Sequence, residues 1–387
     1  MKGHITERAP GRWAIVLDVR DASTGKRKRR WHSFKGSKRG AQIECARLIS
    51  ELQGGLYLEP SKITVAAFLE RWLTHVRAQV GPKTFECYAE LVRTNLVPAL
   101  GSILLTKLRS AQISEAYAGA LVDGRRDGKG GLSPATVVYW HRLLKAALQQ
   151  AVSWQILLRN PADAVSPPKT ERHGMSIYDV EQIASLLEAA RDTRLHMLVT
   201  LAVQCGLRRG EIAALRWRHV DLAHAQLTIV ESMEQTKSGI RVKRPKSGKG
   251  RAVAIAPSLV GDLHQHRLHQ TEELLRLGVR LTEDAIVVAQ ADGMPYQPRS
   301  LSRAWEQWIV TTELPPIRLH DLRHSSASLM LASGIHPKIV SERLGHSRIG
   351  ITLDLYSHTV PHLQTDAVAV VDEALKAALK GRDERKG

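Results

Sequence analysis

Helical periodicity between residues 64 and 160 constrains the fold of this chain more than any other feature of its sequence. Apolar side chains recur there at the i, i+3, i+4 and i+7 positions that share one helix face. The first such stripe consists of Val65, Phe68, Leu69 and Trp72. Further helices are predicted over Lys83–Leu96, Arg109–Leu121 and Pro134–Trp154. Ser133 before Pro134 indicates an N-cap followed by proline at the first helical position. We therefore expect an all-α domain over residues 61–166.

Residues 1–60 form a different and strongly basic unit, with 13 basic and 6 acidic residues. Apolar residues at Trp13, Ile15, Leu17 and Val19 alternate along the chain, which predicts a strand. A turn over Asp21–Gly25, a returning strand over Arg30–Phe34 and a helix over Lys38–Leu52 are expected to follow. The basic run Lys26–Arg30 falls on this hairpin. It is either a solvated turn or the edge of a ribbon that enters a DNA groove.

A proline-containing linker over residues 167–174 precedes a third region, residues 175–387, which we predict to be mostly helical. Strands are expected over Gln226–Ser232 and Arg251–Ile255. The stretch Lys237–Arg251 carries seven basic residues and no acidic one. It suits either a solvated loop or a hairpin that follows a phosphate backbone. The predicted fold class is therefore multidomain, mainly α with small β-sheets.

The charge balance limits the partners of this 387-residue chain. Lysine plus arginine outnumber aspartate plus glutamate by 56 to 38, a formal net charge of +18. Such an excess predicts attraction to a polyanion, most commonly nucleic acid. The dispersed Cys45, Cys87 and Cys205 indicate neither a disulfide framework nor a zinc site. The first residues do not resemble a signal peptide, and no apolar run approaches the roughly 20 residues that span a bilayer. We expect a cytoplasmic protein without membrane contact.

Arg208 is the first candidate for chemistry. It follows Gly206-Leu207 at the junction of two apolar helices, where burying a guanidinium is costly unless it meets a partner. A partner in a functional site is one interpretation of this position. The other is a structural arginine that caps the junction or pairs with Glu211.

The segment His320–His324 is the second candidate, since it follows Pro315-Pro316 and is predicted to open a helix. His320 and Arg323 stand at i and i+3 and therefore share a helix face. A histidine can move protons near neutral pH, and an arginine can fork around two phosphate oxygens. A zinc site through His320 and His324 is the alternative, but it would need two further ligands that are not evident nearby.

A third segment lies near the end of the chain, where Leu344-Gly345-His346 precedes Thr352–His358. Tyr356 in this segment stands ten positions after His346, at the edge of a polar stretch. Most tyrosines contribute to a hydrophobic core, so a structural role for Tyr356 stays open beside a chemical one.

Taken in this order and at these spacings, the segments resemble the tyrosine recombinase family, the phage-integrase type of site-specific recombinase. The resemblance in the third region consists of Gly206–Arg208 with Gly210-Glu211, Pro245–Gly248 running into Arg251, His320–His324, Leu344–His346 and Thr352–His358. The middle region resembles the family's core-binding domain through Leu69–Trp72, Pro98–Gly101, Leu132–Val137 and Asn160–Ala162. Residues 1–60 resemble the arm-type DNA-binding domain of longer integrases, and residues 175–387 the family's mixed α/β catalytic domain.

Carried over residue by residue, the resemblance implies an active site made of Arg208, Lys246, His320, Arg323, His346 and Tyr356. Tyr356 would attack the scissile phosphodiester, giving a 3′-phosphotyrosyl link and a free 5′-hydroxyl. Because the bond energy is kept in that link, no ATP is required, and neither a metal nor another cofactor is implied.

The remaining groups would support this attack. The two arginines would clamp the non-bridging oxygens, and His320 would act as the base. Lys246 would protonate the leaving oxygen and His346 would hydrogen-bond the phosphate. Lys243 and Lys249 are neighbouring alternatives to Lys246. Two departures from the family pattern, Cys205 in place of a common threonine and the extra charge of Arg209, remove no catalytic group.

The resemblance also implies partners: double-stranded DNA at attachment sites, a tetramer of this chain on DNA, and candidate accessory proteins that bend DNA or set direction. The expected outcome is integration or excision of a phage or another mobile element. An apolar stripe near the end could dock on its own domain or on a neighbouring protomer. It consists of Val368, Val371, Leu375 and Leu379.

Three other classes of protein agree less well with these residues. A type IB topoisomerase uses similar chemistry without exchanging partners, and the arm-like first domain argues against it. A non-enzymatic DNA-binding regulator would have no reason to keep all six groups. A metal-dependent transposase would need a carboxylate cluster that the sequence does not supply.

Overall fold

The computed structural model of the chain describes residues 3–20, 27–53, 62–170, 176–245, 248, 250–346, 348–350, 352–353, 368, 371–373 and 375–376. The chain divides into two compact units, Met1–Glu171 and Arg172–Gly387. Helices predominate in the described residues, beside three small antiparallel sheets. The expected mainly helical class with small sheets is confirmed. The proposed boundary at residue 60 falls on residues outside this description.

The first unit begins with a three-stranded sheet and one helix. Its elements are β1 (Gly3–Ala9), β2 (Arg12–Arg20), β3 (Arg27–Lys35) and α1 (Lys38–Gln53), in the sheet order β1-β2-β3. Ile15 and Leu17 on the central strand form a small core with Cys45 and Leu48 of α1. The sequence patterns do not predict β1, because this edge strand has few apolar residues and is mostly exposed. The predicted turn Asp21–Gly25 lies outside the described residues.

The rest of the first unit is the expected helical region. Its helices are α2 (Val65–Val76), α3 (Pro82–Leu91), α4 (Val97–Leu100), α5 (Ser110–Asp123) and α6 (Pro134–Ser153), with short 3-10 segments at Leu105–Lys107 and Pro161–Ala164. All four members of the predicted stripe on α2 are buried in its core. The predicted cap of α6 is also confirmed, since the Ser133 hydroxyl accepts a hydrogen bond from the Thr136 N–H at 3.2 Å.

The predicted continuous helix Lys83–Leu96 is wrong in one respect. After α3 the chain passes through a π-helix over Val92–Leu96 before α4 begins. Pro98 explains the change, because proline has no N–H to donate and its ring clashes with the carbonyl four residues earlier. The wider π turn upstream is one of the ways in which a helix accommodates such a residue.

The second unit packs seven described helices around small sheets. The helices are α7 (Val180–Ala190), α8 (His196–Gln204), α9 (Arg209–Ala214), α10 (Pro257–Arg276), α11 (Pro298–Ile309), α12 (Asp321–Ala332) and α13 (Pro337–Leu344), with a 3-10 segment at Trp217–His219. The strands are β4 (Val220–Asp221), β5 (Gln226–Ile229), β6 (Ser232–Thr236), β7 (Gly239–Lys243) and β8 (Arg251–Ala254). Trp217, Trp305 and Leu322 lie fully buried in the core that joins these elements.

The predicted strand Gln226–Ser232 is in fact divided between two strands, β5 and the first residue of β6, which belong to different sheets. β5 pairs with β4 and β8, whereas β6 pairs with β7. The basic stretch between the predicted strands is therefore in part a hairpin, and β7 is exposed along its whole length. The chain segment between β7 and β8 contains Lys246, which lies outside the described residues.

Candidate active site

Four of the six predicted site residues lie close together in the second unit. The main-chain oxygen of Leu344 accepts hydrogen bonds from both Arg208 Nη1, at 3.4 Å, and Arg323 Nη2, at 2.6 Å. His346 follows two residues later, and His320 directly precedes the helix that carries Arg323. The other two predicted residues, Lys246 and Tyr356, lie outside the described residues.

Arg208 is placed by a sharp turn after α8. Gly206 has a φ of +60°, and a Cβ at this position would lie 2.2 Å from Leu344 Cδ2. Only glycine combines this left-handed conformation with the close approach of a neighbouring side chain. The turn brings Arg208 to the N-cap of α9, where its N–H donates to Glu211 Oε2 at 3.0 Å.

Glu211 holds the Arg208 side chain as well as its main chain. Arg208 Nη1 donates to Glu211 Oε1 at 2.9 Å, and Nη2 donates to the Gly345 oxygen at 2.9 Å. The ion pair with Glu211 that the structural interpretation of Arg208 predicts is therefore present. It does not enclose the guanidinium, since the Arg208 side chain keeps 26% of its surface exposed while Glu211 keeps 1%. Although burial by itself raises the pKa of Glu211, hydrogen bonds from arginine outweigh it and lower that pKa.

Arg323 is the more buried arginine, at 2% exposure. Its Nη1 donates to the Gly206 oxygen and its Nη2 to the Leu344 oxygen. Burial and then the charge of Arg208 lower the pKa of Arg323 to about 9, so the guanidinium is still charged near neutral pH. Two carbonyls thus fix its plane in the same small region as Arg208.

His320 occupies the N-cap of α12, which confirms that the predicted segment opens a helix. Its ring meets that of His324 edge to face, with centroids 5.1 Å apart. Desolvation, followed by the positive charge of His324 and Arg323, lowers the pKa of His320 to about 4. The ring is therefore neutral near pH 7 and can accept a proton. Among the residues described, no three His, Cys, Asp or Glu side chains are grouped as metal ligands would be.

His346 lies just beyond the end of α13, after Gly345 in the left-handed conformation. Its Nδ1 is 2.8 Å from the hydroxyl oxygen of Thr352, which is fully buried. Burial, and then the charges of Arg323 and Arg208, lower the pKa of His346 to about 4. Thr352 stands four residues before Tyr356 in the sequence, so the segment that carries the tyrosine begins at this cluster.

Lys243, one alternative to Lys246, is engaged in an ion pair. Lys243 at the end of β7 forms an ion pair with Glu234 across the hairpin, and Arg241 lies 4.0 Å from the same carboxylate. This ion pair occupies the Lys243 ammonium. Lys249 lies outside the described residues.

Three contributors to the cluster escape sequence reasoning. Arg251 shares Glu211 with Arg208, Thr352 orients His346, and the carbonyls of residues 344 and 345 hold the arginines. Arg251 and Thr352 stand in the motif segments without a predicted role, whereas Glu211 is predicted as a partner of Arg208. Three guanidinium groups surround a single described carboxylate, so the cluster carries a net positive charge that suits an anionic ligand.

Comparisons with known proteins agree with this geometry. Residues 177–362 match the profile described as the phage integrase family, and residues 64–119 match that of the phage integrase N-terminal SAM-like domain. A tyrosine recombinase XerC-like protein of Caldanaerobacter subterraneus subsp. tengcongensis is 26% identical over 87% of this chain and 90% of its own length.

Two solved structures share the fold. The Tn1549 transposon integrase in complex with transposon right end DNA has a TM-score of 0.66 at 20% identity, covering 81% of this chain and 100% of that one. A lambda integrase tetramer bound to a Holliday junction has a TM-score of 0.59 at 19% identity, covering 91% and 94%.

The chain therefore belongs to the phage integrase family of tyrosine recombinases, which are DNA strand-exchange enzymes. In the described residues, no helix is long and apolar enough to cross a membrane.

Proposed function

We propose that this chain is a site-specific DNA recombinase that cuts and rejoins strands through a 3′-phosphotyrosyl link to Tyr356. The observation that carries this proposal is the pair of arginines, Arg208 and Arg323, anchored on the shared Leu344 carbonyl. Attack on a phosphodiester concentrates negative charge on the non-bridging oxygens in the transition state. Two charged, fixed donors meet that charge without reorganising, which is the main source of electrostatic catalysis.

His320 is the proposed base for the Tyr356 hydroxyl, whose ordinary pKa near 10 leaves it protonated at neutral pH. The His320 ring is unprotonated at neutral pH, which is the form in which a base can act. Lys246 is proposed to protonate the leaving 5′-oxygen. The engagement of Lys243 with Glu234 favours Lys246 over that neighbour.

His346 is proposed to donate a hydrogen bond to the phosphate. Because its lowered pKa keeps the ring neutral, only one ring nitrogen carries a proton. If the Thr352 hydroxyl donates to Nδ1, the proton is on Nε2, which can then donate to a phosphate oxygen. In this arrangement Thr352 would be the residue that selects the tautomer able to bind the phosphate.

The sheet of residues 1–60 is proposed as an arm-type DNA-binding domain. The face opposite α1 pairs Arg12 with Lys35 and Val16 with Trp31 across β2 and β3. Trp31 is 57% exposed, and the guanidinium of Arg8 lies 5.1 Å from its ring centroid. A basic face with an exposed aromatic ring suits a DNA groove. The helical region over residues 61–166 is proposed as the core-binding domain, and residues 175–387 as the catalytic domain.

The chain is further proposed to act as a tetramer on paired attachment sites of a phage or another mobile element, in the cytoplasm. Exchange between two duplexes needs one cut on each of four strands, and lambda integrase forms a tetramer on a Holliday junction. Val368, Val371 and Leu375 are each more than half exposed and offer an apolar surface to a neighbouring protomer. Leu379 lies outside the described residues. Proteins that bend DNA or set direction are proposed accessory partners.

The test is Tyr356→Phe, which removes only the nucleophilic oxygen. On a duplex nicked near the cut site, wild type should be trapped as a covalent adduct in buffer with EDTA and no ATP, while the variant binds DNA and forms none. An adduct with the variant would show that another residue is the nucleophile. If the wild-type protein forms the adduct and relaxes supercoiled DNA but never joins two duplexes, the result would favour the topoisomerase alternative.

A further inference from the structure

Arg251 begins strand β8, immediately after the segment that carries Lys246. Its side chain is only 10% exposed, and the main hydrogen-bonding directions of its guanidinium are occupied from within the second unit. Nη1 and Nη2 donate to the two oxygens of Glu211 at 3.1 and 2.7 Å, and Nε donates to the Arg343 oxygen at 2.8 Å. The residue therefore joins three elements: β8, the start of α9 and the end of α13.

The first of these contacts bears on Arg208. Each oxygen of Glu211 accepts one hydrogen bond from Arg208 and one from Arg251, so the carboxylate lies between the two arginines. Bidentate pairing of a guanidinium with a carboxylate fixes the plane of both groups. Arg251 thus sets the orientation of the carboxylate that in turn holds the Arg208 side chain.

The second contact bears on the turn after α13. The Arg251 guanidinium lies directly under Gly345, where a Cβ would approach Nη1 to 3.0 Å and Cζ to 3.2 Å. The carbonyls of Leu344 and Gly345 on this turn accept the hydrogen bonds of Arg208 and Arg323, and His346 follows. The same guanidinium therefore supports the acceptors of both proposed phosphate-clamping arginines.

We propose that Arg251 is a positioning residue for strand cleavage, an inference that rests on the proposed function. It acts through Glu211 and the turn at Gly345, and it aligns the two clamping arginines with each other. A purely structural brace would instead affect stability and leave the chemical step unchanged.

The experiment compares Arg251→Gln and Arg251→Lys with a matched control, Arg343→Gln. Arg343 also donates two hydrogen bonds, to the oxygens of Ala254 and Gln204 at 2.8 and 3.0 Å, but it does not contact Glu211. Single-turnover cleavage of a nicked duplex is measured at saturating protein, alongside the Kd for the same DNA and the Tm. For Arg251→Gln we expect cleavage to fall about 10- to 100-fold, as for misplaced catalytic groups, with Kd unchanged within about twofold.

A second substrate separates positioning from bracing. A methylphosphonate at the scissile position removes the charge that the arginines stabilise, so the defect of Arg251→Gln should shrink on it. A defect caused only by weakened folding would be equal on both substrates. Arg251→Lys, which keeps the charge but cannot pair with both carboxylate oxygens, should fall between wild type and Arg251→Gln.

The outcomes distinguish the two proposals. If Arg251→Gln does not fold, Arg251→Lys decides, since it retains the buried charge. Wild-type cleavage rates in Arg251→Lys, or a defect shared equally with Arg343→Gln, would overturn the positioning role. If wild type forms no covalent adduct at all, the proposed function itself fails.

Discussion

Replacing Arg323 by lysine tests the clamp most directly. The guanidinium is 2% exposed and donates from two nitrogens to two carbonyls, of Gly206 and Leu344. Lysine keeps the positive charge but carries a single ammonium on a flexible stem, so it cannot reproduce the planar fork. The substitution therefore keeps the charge of the side chain and changes only the positions of its hydrogen-bond donors.

The size of the effect follows from these contacts. A hydrogen bond from a charged donor contributes roughly 1.5 to 3 kcal/mol, and the ammonium can keep at most one of the two in place. A donor displaced from the developing phosphate charge costs about 3 kcal/mol in the transition state, as for the loss of one preorganised donor. We therefore expect strand cleavage to fall about a hundredfold or more, since roughly 1.4 kcal/mol is a factor of ten.

The assay is single-turnover cleavage of a nicked duplex at saturating protein, with Arg343→Lys as the control. Arg343 likewise donates to two carbonyls, yet its side chain touches neither Leu344 O nor Glu211 in the described contacts. Cleavage by the control should stay within about threefold of wild type. If Arg323→Lys cleaved at a near-normal rate, or if both variants lost activity equally, the clamp would be refuted.

Three further predictions concern pH and modularity. The pKa of His346 is about 4 in the folded protein and ordinarily 6.5, so folding favours its neutral form. The unfolding free energy should therefore drop as pH falls from 7 to 5, by about 1 kcal/mol for this half-buried group once solvent screening is discounted. Urea titrations would contradict this if stability rose over that interval, or if His346→Gln did not weaken the pH dependence. Deleting residues 1–60 should abolish binding to a distal DNA site and leave core-site cleavage intact, and unchanged footprints would assign the basic hairpin to solubility alone. Truncation after His362 should abolish cooperative complexes and recombination while single-site binding persists, and native mass measurement of an intact four-protomer complex of the truncated chain would refute this.

Local patterns in the sequence account for much of the fold. The stripe of Val65, Phe68, Leu69 and Trp72 predicts a helix with a buried face, and Ser133-Pro134 predicts the start of another; both are found. These predictions succeed because helix periodicity and capping depend on residues within a few positions of one another. The edge strand β1 and the break between β5 and β6 are not predicted, because they depend on the strands with which these segments form hydrogen bonds.

The candidate residues were also predictable, since Arg208, His320, Arg323 and His346 each stand in a short motif of distinctive residue types. Their convergence was implied only by the order and spacing of the motifs. The described residues bring these four together, while the placement of Lys246 and Tyr356 stays a prediction.

Tertiary structure alone decided how the arginines are held. Their acceptors are the main-chain oxygens of Gly206, Leu344 and Gly345, as much as 137 positions away in the sequence. Every residue has a carbonyl, so no residue type marks the ones that serve as acceptors. Likewise, the sharing of Glu211 between Arg208 and Arg251 depends on a strand that returns 40 residues later to the start of α9. A sequence lists the charged groups, and only packing decides which of them share a partner.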